Sequence, residues 1–230
     1  MTDYNVIVVM SQDAATHFEP KSIAVRELLE LKGWKIELEV EPTWTGFVAK
    51  VRWLQRCARE LTQYTHLALL DARDIVMLGT PDEVMERYFE FNHPWVFNAE
   101  PFIWPANAGE PEDFPECEGP YRYPNAGAHI GEREHILKHL DGQLLGEERE
   151  DGLYYTRMYL GTPGSILLDH QCKLFQCMCG SLVGPEPHCT MTPGHVHNNT
   201  TGTDPLIIHF NGGDDITQPH RRILWDCLID

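Results

Sequence analysis

The sequence predicts an α/β fold, a single mixed sheet with helices on both faces, on three observations. Apolar runs of strand length alternate with segments of helical period from Asn5 to Asn98. Proline and glycine stand where those helices should begin and end, as Pro20 and Gly33 do for the first. Two of the apolar runs stop abruptly in polar groups: Leu67–Leu70 in Asp71, and Leu206–Ile208 in His209. In open α/β sheets ligands bind beyond the carboxyl ends of the strands.

Each element follows from its own pattern. Asn5 to Met10 is a continuous apolar run, hence a buried strand. Pro20 to Lys32 is a helix with an apolar face of Ile23, Ala24, Leu28 and Leu31, and Gly33 stops it. Lys35 to Val40 alternates charged and apolar residues, so it is a half-exposed strand. Phe47 to Thr62 is the second helix, Thr65 to Leu70 a buried strand, Pro81 to Phe91 the third helix and Pro94 to Asn98 a short strand. Pro101 to Tyr123 is rich in Pro, Gly and acids. It reads as an excursion within the domain, because patterning resumes at once. Glu132 to Leu140 and Asp151 to Tyr159 are helical, Ile166 to Leu168 is a short strand, and Leu206 to His209 is another buried one. Residues 180–205 carry the least pattern and are expected to be an irregular insertion or loop. There is no internal repeat, and residues 1–230 are expected to form one domain.

The net charge of −17 excludes a general binder of nucleic acid, which needs a basic face, and disfavours an anionic membrane surface. It suits divalent cations, and equally a protein that is simply soluble. No apolar run approaches the roughly 20 residues of a membrane span. The opening MTDYNVIVVMSQD reads as a first strand with no leader, so a cytoplasmic protein is expected. Seven cysteines, an odd number, point to reduced thiols.

Four groups could carry chemistry. Asp71 and Asp74 follow a buried strand, where two carboxylates three apart can converge on a hard cation such as Mn²⁺ or Mg²⁺. The plainer alternative is a turn in which Asp71 caps and Asp74 pairs with a base. His209 ends PLIIHFNGG; a neutral imidazole can complete a carboxylate metal site, and Gly212 and Gly213 would let backbone approach a phosphate. The alternative is a core histidine before a turn. Glu150 and Asp151 close an acidic run at a helix start, either as a solvated, dipole-favoured face or as carboxylates that bind sugar hydroxyls or act as a base. Cys172, Cys177, Cys179, His188, Cys189, His195 and His197 offer zinc-type ligands, but without the close C-x2-C pair that zinc modules usually carry.

Taken together, ordered segments from about Lys50 to Asn211 resemble the glycosyltransferase domain of the procollagen lysyl hydroxylases. They are KVRWLQ, LLDARDIVMLGTPDEV with its DxxD motif, FNAEPFIWP, PNAGAHIG, EDGLYYTRMYL, ILLDHQCKLFQ and IIHFNG. PNAGAHIG resembles a glycine-rich turn of that family. The resemblance implies a GT-A-like, Rossmann-type nucleotide-sugar-binding fold. It also implies Mn²⁺-dependent (or Mg²⁺-dependent) transfer of galactose or glucose from a UDP-sugar to a hydroxyl acceptor, hydroxylysine of a collagen-like protein being one candidate. By matching position it makes Asp71, Asp74 and His209 the metal ligands. It sets Lys50 near the donor phosphates, Asn211 and Gly212 at the diphosphate, and Glu100 and Trp104 at the sugar. Glu150 and Asp151 match the end of the catalytic acidic run, and Glu100 is counted with them as a catalytic acid. Asp169 and His170 lie in a similar segment with no role assigned. The departures are Gly152 where the family has glutamine, Phe210 where it has glycine, and Asp214-Asp215 where a lysine is expected nearby. With no hydroxylase region in the chain, a stand-alone transferase is expected. The competing readings are a non-catalytic nucleotide-sugar-binding relative and a zinc-stabilised binding protein.

Overall fold

The computed structural model describes residues 4–141, 149–179 and 188–212. In chain order the elements are β1 (Val6–Asp13), α1 (Pro20–Leu31), β2 (Ile36–Glu41), α2 (Val48–Glu60), β3 (His66–Leu70), β4 (Ile75–Met77), α3 (Pro81–Phe89) and β5 (Trp95–Glu100). Then come β6 (Tyr123–Glu132), α4 (Arg133–Leu140), α5 (Asp151–Gly161), β7 (Leu167–Leu168), β8 (Phe175–Cys177), β9 (Cys189–Thr192), β10 (His195–Asn198) and β11 (Ile207–His209). Among the described residues no helix is long and apolar enough to cross a membrane.

The large sheet is mixed, in the order β2-β1-β3-β6-β5-β7. β1 runs parallel to β2 and β3, whereas β6 is antiparallel to both β3 and β5. Period-two alternation sends successive side chains of each strand to opposite faces, and helices cover both. Ile7, Val9, Leu67, Leu69, Trp95 and Phe97 pack with Val51 and Leu54 of α2, Ile136 of α4 and Tyr155 of α5. Val6, Val8, Met10, Ala68, Leu70 and Val96 pack with Val25 and Leu29 of α1 and with Val84, Met85 and Tyr88 of α3. β1 and β3, buried on both faces, read for that reason as apolar runs over Val6–Met10 and Leu67–Leu70. Pro81 opens α3 behind a capping box in which Thr80 and Glu83 satisfy each other's backbone N–H groups.

The sequence predicts one sheet; the strands divide among three. A small sheet β4-β11-β8 and a hairpin β9-β10 accompany the large one. Residues 180–205, expected to be irregular, hold that hairpin in the part described from residue 188. Its exposed Thr and His residues alternate with buried Cys189, Val196 and Asn198, a pattern too short and too polar to stand out.

The largest correction concerns PNAGAHIG, expected to be a turn. It is the body of β6, a central ten-residue strand. Its glycines are there for lack of room. A Cβ on Gly131 would lie 2.5 Å from Trp95 Cδ1, and one on Gly127 would lie 2.1 Å from His209 Cε1. Small residues that look like turn punctuation mark close approach by large neighbours instead.

A candidate active site where two sheets meet

Asp71 follows the last residue of β3, in the large sheet; His209 ends β11, in the small one. The junction is stitched by backbone bonds. Asp71 N–H donates to the Gly127 carbonyl at 2.8 Å, and Phe210 N–H donates to the Asp74 carbonyl at 2.8 Å. The β5–β6 register slips between Phe97 and Asn98, so Ala126, Gly127 and Ala128 have no partners on β5. Such bulges re-aim side chains beside functional sites.

Three side chains converge at this junction. His209 Nε2 lies 3.5 Å from Asp71 Oδ2 and 3.5 Å from Asp74 Oδ1. Donor atoms of the three all fall within 4.8 Å of one another, the one such cluster among the described residues. Both His209 Nε2 and Asp74 Oδ1 are buried without a hydrogen-bond partner. Buried polar atoms are normally satisfied. Two carboxylate oxygens and an imidazole nitrogen that share one point, two of the three without a partner, suit a divalent cation, whose bonds to such donors run about 2.0–2.4 Å. Gly127 keeps that point open, since a Cβ there would also lie 2.7 Å from Asp71 Oδ2.

The charges lock together. Lys50 is buried and its ammonium bridges Asp71 Oδ1 at 2.5 Å and Asp151 Oδ2 at 2.7 Å. Burial alone would lower the Lys50 pKa, but the Asp151 and Asp71 carboxylates outweigh it and hold the lysine charged. Burial pushes Asp71 up; Lys50 and His209 more than reverse this and keep its carboxyl below the usual range. Burial disfavours charge on His209 as well, yet Asp74 and Asp71 push its pKa up to about 10. Glu100 behaves differently. Its burial dominates and lifts its pKa to about 7, although Asn211 Nδ2–H donates to Glu100 Oε2 at 3.0 Å.

Two clefts meet at the acids. The larger, about 640 Å³, is lined by all ten residues that the resemblance singles out: Lys50, Asp71, Asp74, Glu100, Trp104, Glu150, Asp151, His209, Asn211 and Gly212. Phe47, Phe102 and Trp104 expose their rings along it. The smaller, about 330 Å³, lies beside the end of β1 and Trp44, and shares Phe47, Lys50, Asp71, Asp74 and Gly212 with its neighbour. Gly212 has φ +98°, a left-handed backbone conformation that glycine adopts without strain. Gly152, a departure from the resembled family, has a packing reason. A side chain there would meet the Trp104 carbonyl at 2.8 Å, so glycine lets the Trp104 segment close on the start of α5.

Asp169 and His170 lie apart from both clefts and brace the fold. Asp169 accepts the backbone N–H groups of Lys173, Leu174 and Phe175, and His170 Nδ1 bonds the Tyr121 carbonyl at 2.7 Å. The zinc-type residues are also engaged elsewhere. Cys177 donates to Asn211 Oδ1, Cys189 is buried, and His195 and His197 flank Asp204. Glu147, Glu148, Gly213, Asp214 and Asp215 lie outside the described residues. The sequence reading missed Asn125, whose side-chain oxygen sits 2.8 Å from His209 Nδ1. It also missed the aromatic rim residues Phe47 and Phe102. Asn125 was hidden inside the segment taken for a turn.

Comparison with known proteins gives the family. Residues 31–218 match the family model described as the PLOD GT domain. The chain is 30% identical over 173 residues to the human multifunctional procollagen lysine hydroxylase and glycosyltransferase LH3, covering 71% of this chain and 23% of that protein. It is 29% identical over 169 residues to mouse procollagen-lysine,2-oxoglutarate 5-dioxygenase 2, with the same coverage. It thus spans about a quarter of the length of these relatives. An uncharacterized protein of Acanthamoeba polyphaga mimivirus, R699, is 27% identical over 150 residues, 64% of this chain and 31% of that one. Among solved structures, a glycosyltransferase involved in glycosylation of the major capsid of PBCV-1 shares the fold. Its TM-score is 0.52 at 14% identity, covering 94% of this chain and 99% of that one. The family model spans well over half of the chain, and the chain belongs to the PLOD glycosyltransferase-domain family.

Proposed function

We propose that the protein is a metal-dependent glycosyltransferase that moves galactose or glucose from a UDP-sugar to a hydroxyl acceptor, hydroxylysine of a collagen-like protein being one candidate. The observation that carries this reading is the convergence of Asp71, Asp74 and His209 where two clefts meet. A nucleotide-sugar has two unlike ends joined by a diphosphate. The smaller cleft, beside Trp44, suits the nucleoside; the larger, with Glu100 and Trp104, suits the sugar; the diphosphate falls between them. Mn²⁺ or Mg²⁺ would be held by Asp71, Asp74 and His209 Nε2. When bound it offsets the negative charge that builds on the departing diphosphate.

The chain's own residues supply the rest. Lys50 fixes the metal-side acid Asp71 and the acceptor-side acid Asp151 to one ammonium. In the transfer, the anomeric C–O bond to the diphosphate breaks and its electron pair leaves on the phosphate oxygen. A C–O bond to the acceptor forms, and the acceptor's proton passes to a carboxylate. We assign that role to Asp151, which lines the cleft with Glu150 beside it. Glu100, steadied by Asn211, bonds sugar hydroxyls. Asn211 and Gly212 stand at the diphosphate. The rings of Trp104, Phe102 and Phe47 give the sugar apolar faces and exclude water.

The test is turnover of UDP-galactose and UDP-glucose with and without Mn²⁺. The reading expects activity that needs the cation and is lost in Asp71→Ala. Full activity in that variant would remove the metal assignment. UDP binding with no turnover of any donor would favour a non-catalytic relative.

A further inference from the structure

We propose that Asn125 is the positioning residue that sets which nitrogen of His209 faces the cation, and so governs metal affinity from outside the ligand set. This rests on the metal reading of Asp71, Asp74 and His209. The argument is a chain of hydrogen bonds in which each fixes the next. Gly127 N–H, on the same strand, donates to the Asn125 side chain at 3.0 Å. A backbone N–H needs an acceptor, so the atom facing it is the amide oxygen, and the orientation of the Asn125 amide is settled. That same oxygen lies 2.8 Å from His209 Nδ1. An amide oxygen can only accept, so Nδ1 must carry the hydrogen. In the neutral ring that a cation binds, Nε2 is then left with its lone pair, and it is Nε2 that lies 3.5 Å from both Asp71 Oδ2 and Asp74 Oδ1.

Local sequence makes this possible. Asn125 and Gly127 are two apart on β6, so they share a face of the strand. One orients His209 and the other leaves it room: a Cβ at 127 would strike the imidazole. The β5 neighbour Asn98 lies opposite Asn125 at the register slip, with Nδ2 3.5 Å from the same oxygen. Asn125 is buried and lines the larger cleft. Its hydrogen bond also steadies the Glu100 carboxylate, so one amide touches both the metal side and the sugar side of the site. Partners of this kind outside the ligand set hold a metal-binding histidine in one tautomer, and their loss typically weakens binding 10–100-fold.

The experiment is a Mn²⁺ titration followed by electron paramagnetic resonance, on wild type, Asn125→Ala and Asn125→Asp, with thermal unfolding of each metal-free protein alongside. Alanine removes the acceptor; aspartate keeps an oxygen at the same reach. The expected result is Mn²⁺ affinity down roughly 10–100-fold in Asn125→Ala, and within about threefold of wild type in Asn125→Asp. A purely packing role would instead weaken both variants together, in step with their unfolding temperatures, and would overturn the proposal. Wild-type affinity in Asn125→Ala would overturn it as well while leaving the metal site standing. No Mn²⁺ binding by wild type would remove the metal reading and the proposal with it.

Discussion

The end of β11 and the middle of β6 each bury a histidine, His209 at 2% exposure and His129 at 0%. Their burial is the same and their electrostatics are opposite. His209 points between two carboxylates, which push its pKa up to about 10 against the cost of burial. At His129 burial and the Lys50 ammonium outweigh the pull of Asp71. Trp95 Nε1–H donates to its Nδ1 at 3.0 Å, the Phe97 ring stacks on it at 4.1 Å, and burial drives its pKa well below the ordinary value. Burial alone therefore does not distinguish a site from a core. What separates these regions is the balance of charge: Asp71 and Asp74 both close on His209 Nε2, whereas at His129 burial and Lys50 outweigh Asp71.

The sharpest way to break this comparison is to replace each histidine by phenylalanine. His209→Phe should lower Mn²⁺ affinity by more than about 100-fold and abolish transfer. His129→Phe keeps the stack on Phe97 and should leave Mn²⁺ affinity within about threefold. It should cost about 1–3 kcal/mol of stability for the unpaired Trp95 N–H. Calorimetry with Mn²⁺ and urea unfolding read the two effects separately. Equal loss of Mn²⁺ binding in both variants would erase the distinction.

The two β6 glycines give a second contrast. Gly127→Ala sets a methyl group against His209 and Asp71, and Gly131→Ala sets one against Trp95. The first should weaken metal binding at least tenfold, an effect on the scale of a disturbed ligand shell. The second should cost roughly 1–3 kcal/mol of stability by overpacking, with metal affinity unchanged in the folded protein. Metal binding that survives intact in Gly127→Ala would show that the methyl group is absorbed elsewhere.

A third contrast is the dependence of metal-free stability on pH. The folded pKa of His209 is raised, so its stabilising contribution is complete below the unfolded value near 6.5 and is lost as pH climbs towards about 10. The folded pKa of His129 is depressed, so the unfolded chain takes up a proton that the folded chain refuses. Its contribution is present above about 6.5 and is lost as pH falls below that. His66, with a pKa lowered to about 4 by burial, adds to the same acid limb. Urea midpoints measured across pH on the two phenylalanine variants should flatten the alkaline limb for position 209 and part of the acid limb for position 129.

The same contrast explains what the sequence made legible. Asp71 and His209 each follow an unbroken apolar run, and a polar residue ending a buried strand is visible without a structure. The helices were visible too, because Pro20, Gly33 and Pro81 mark their ends. β6 was not, since its glycines answer to Trp95 and His209, residues far away in sequence. Asn125 went unseen with it. β4 and β8, three residues each, lack the length for any period to register. They exist because β11 runs between them. Strands made by their neighbours leave little trace in their own residues.

The central claim is that Asp71, Asp74 and His209 hold one divalent cation. Calorimetric titration of Mn²⁺ into metal-free wild type and Asp71→Ala, with UDP absent and then present, tests it most directly. The account predicts a single site in wild type that tightens with UDP and vanishes in the variant. Mn²⁺ binding of equal strength in both proteins would contradict it.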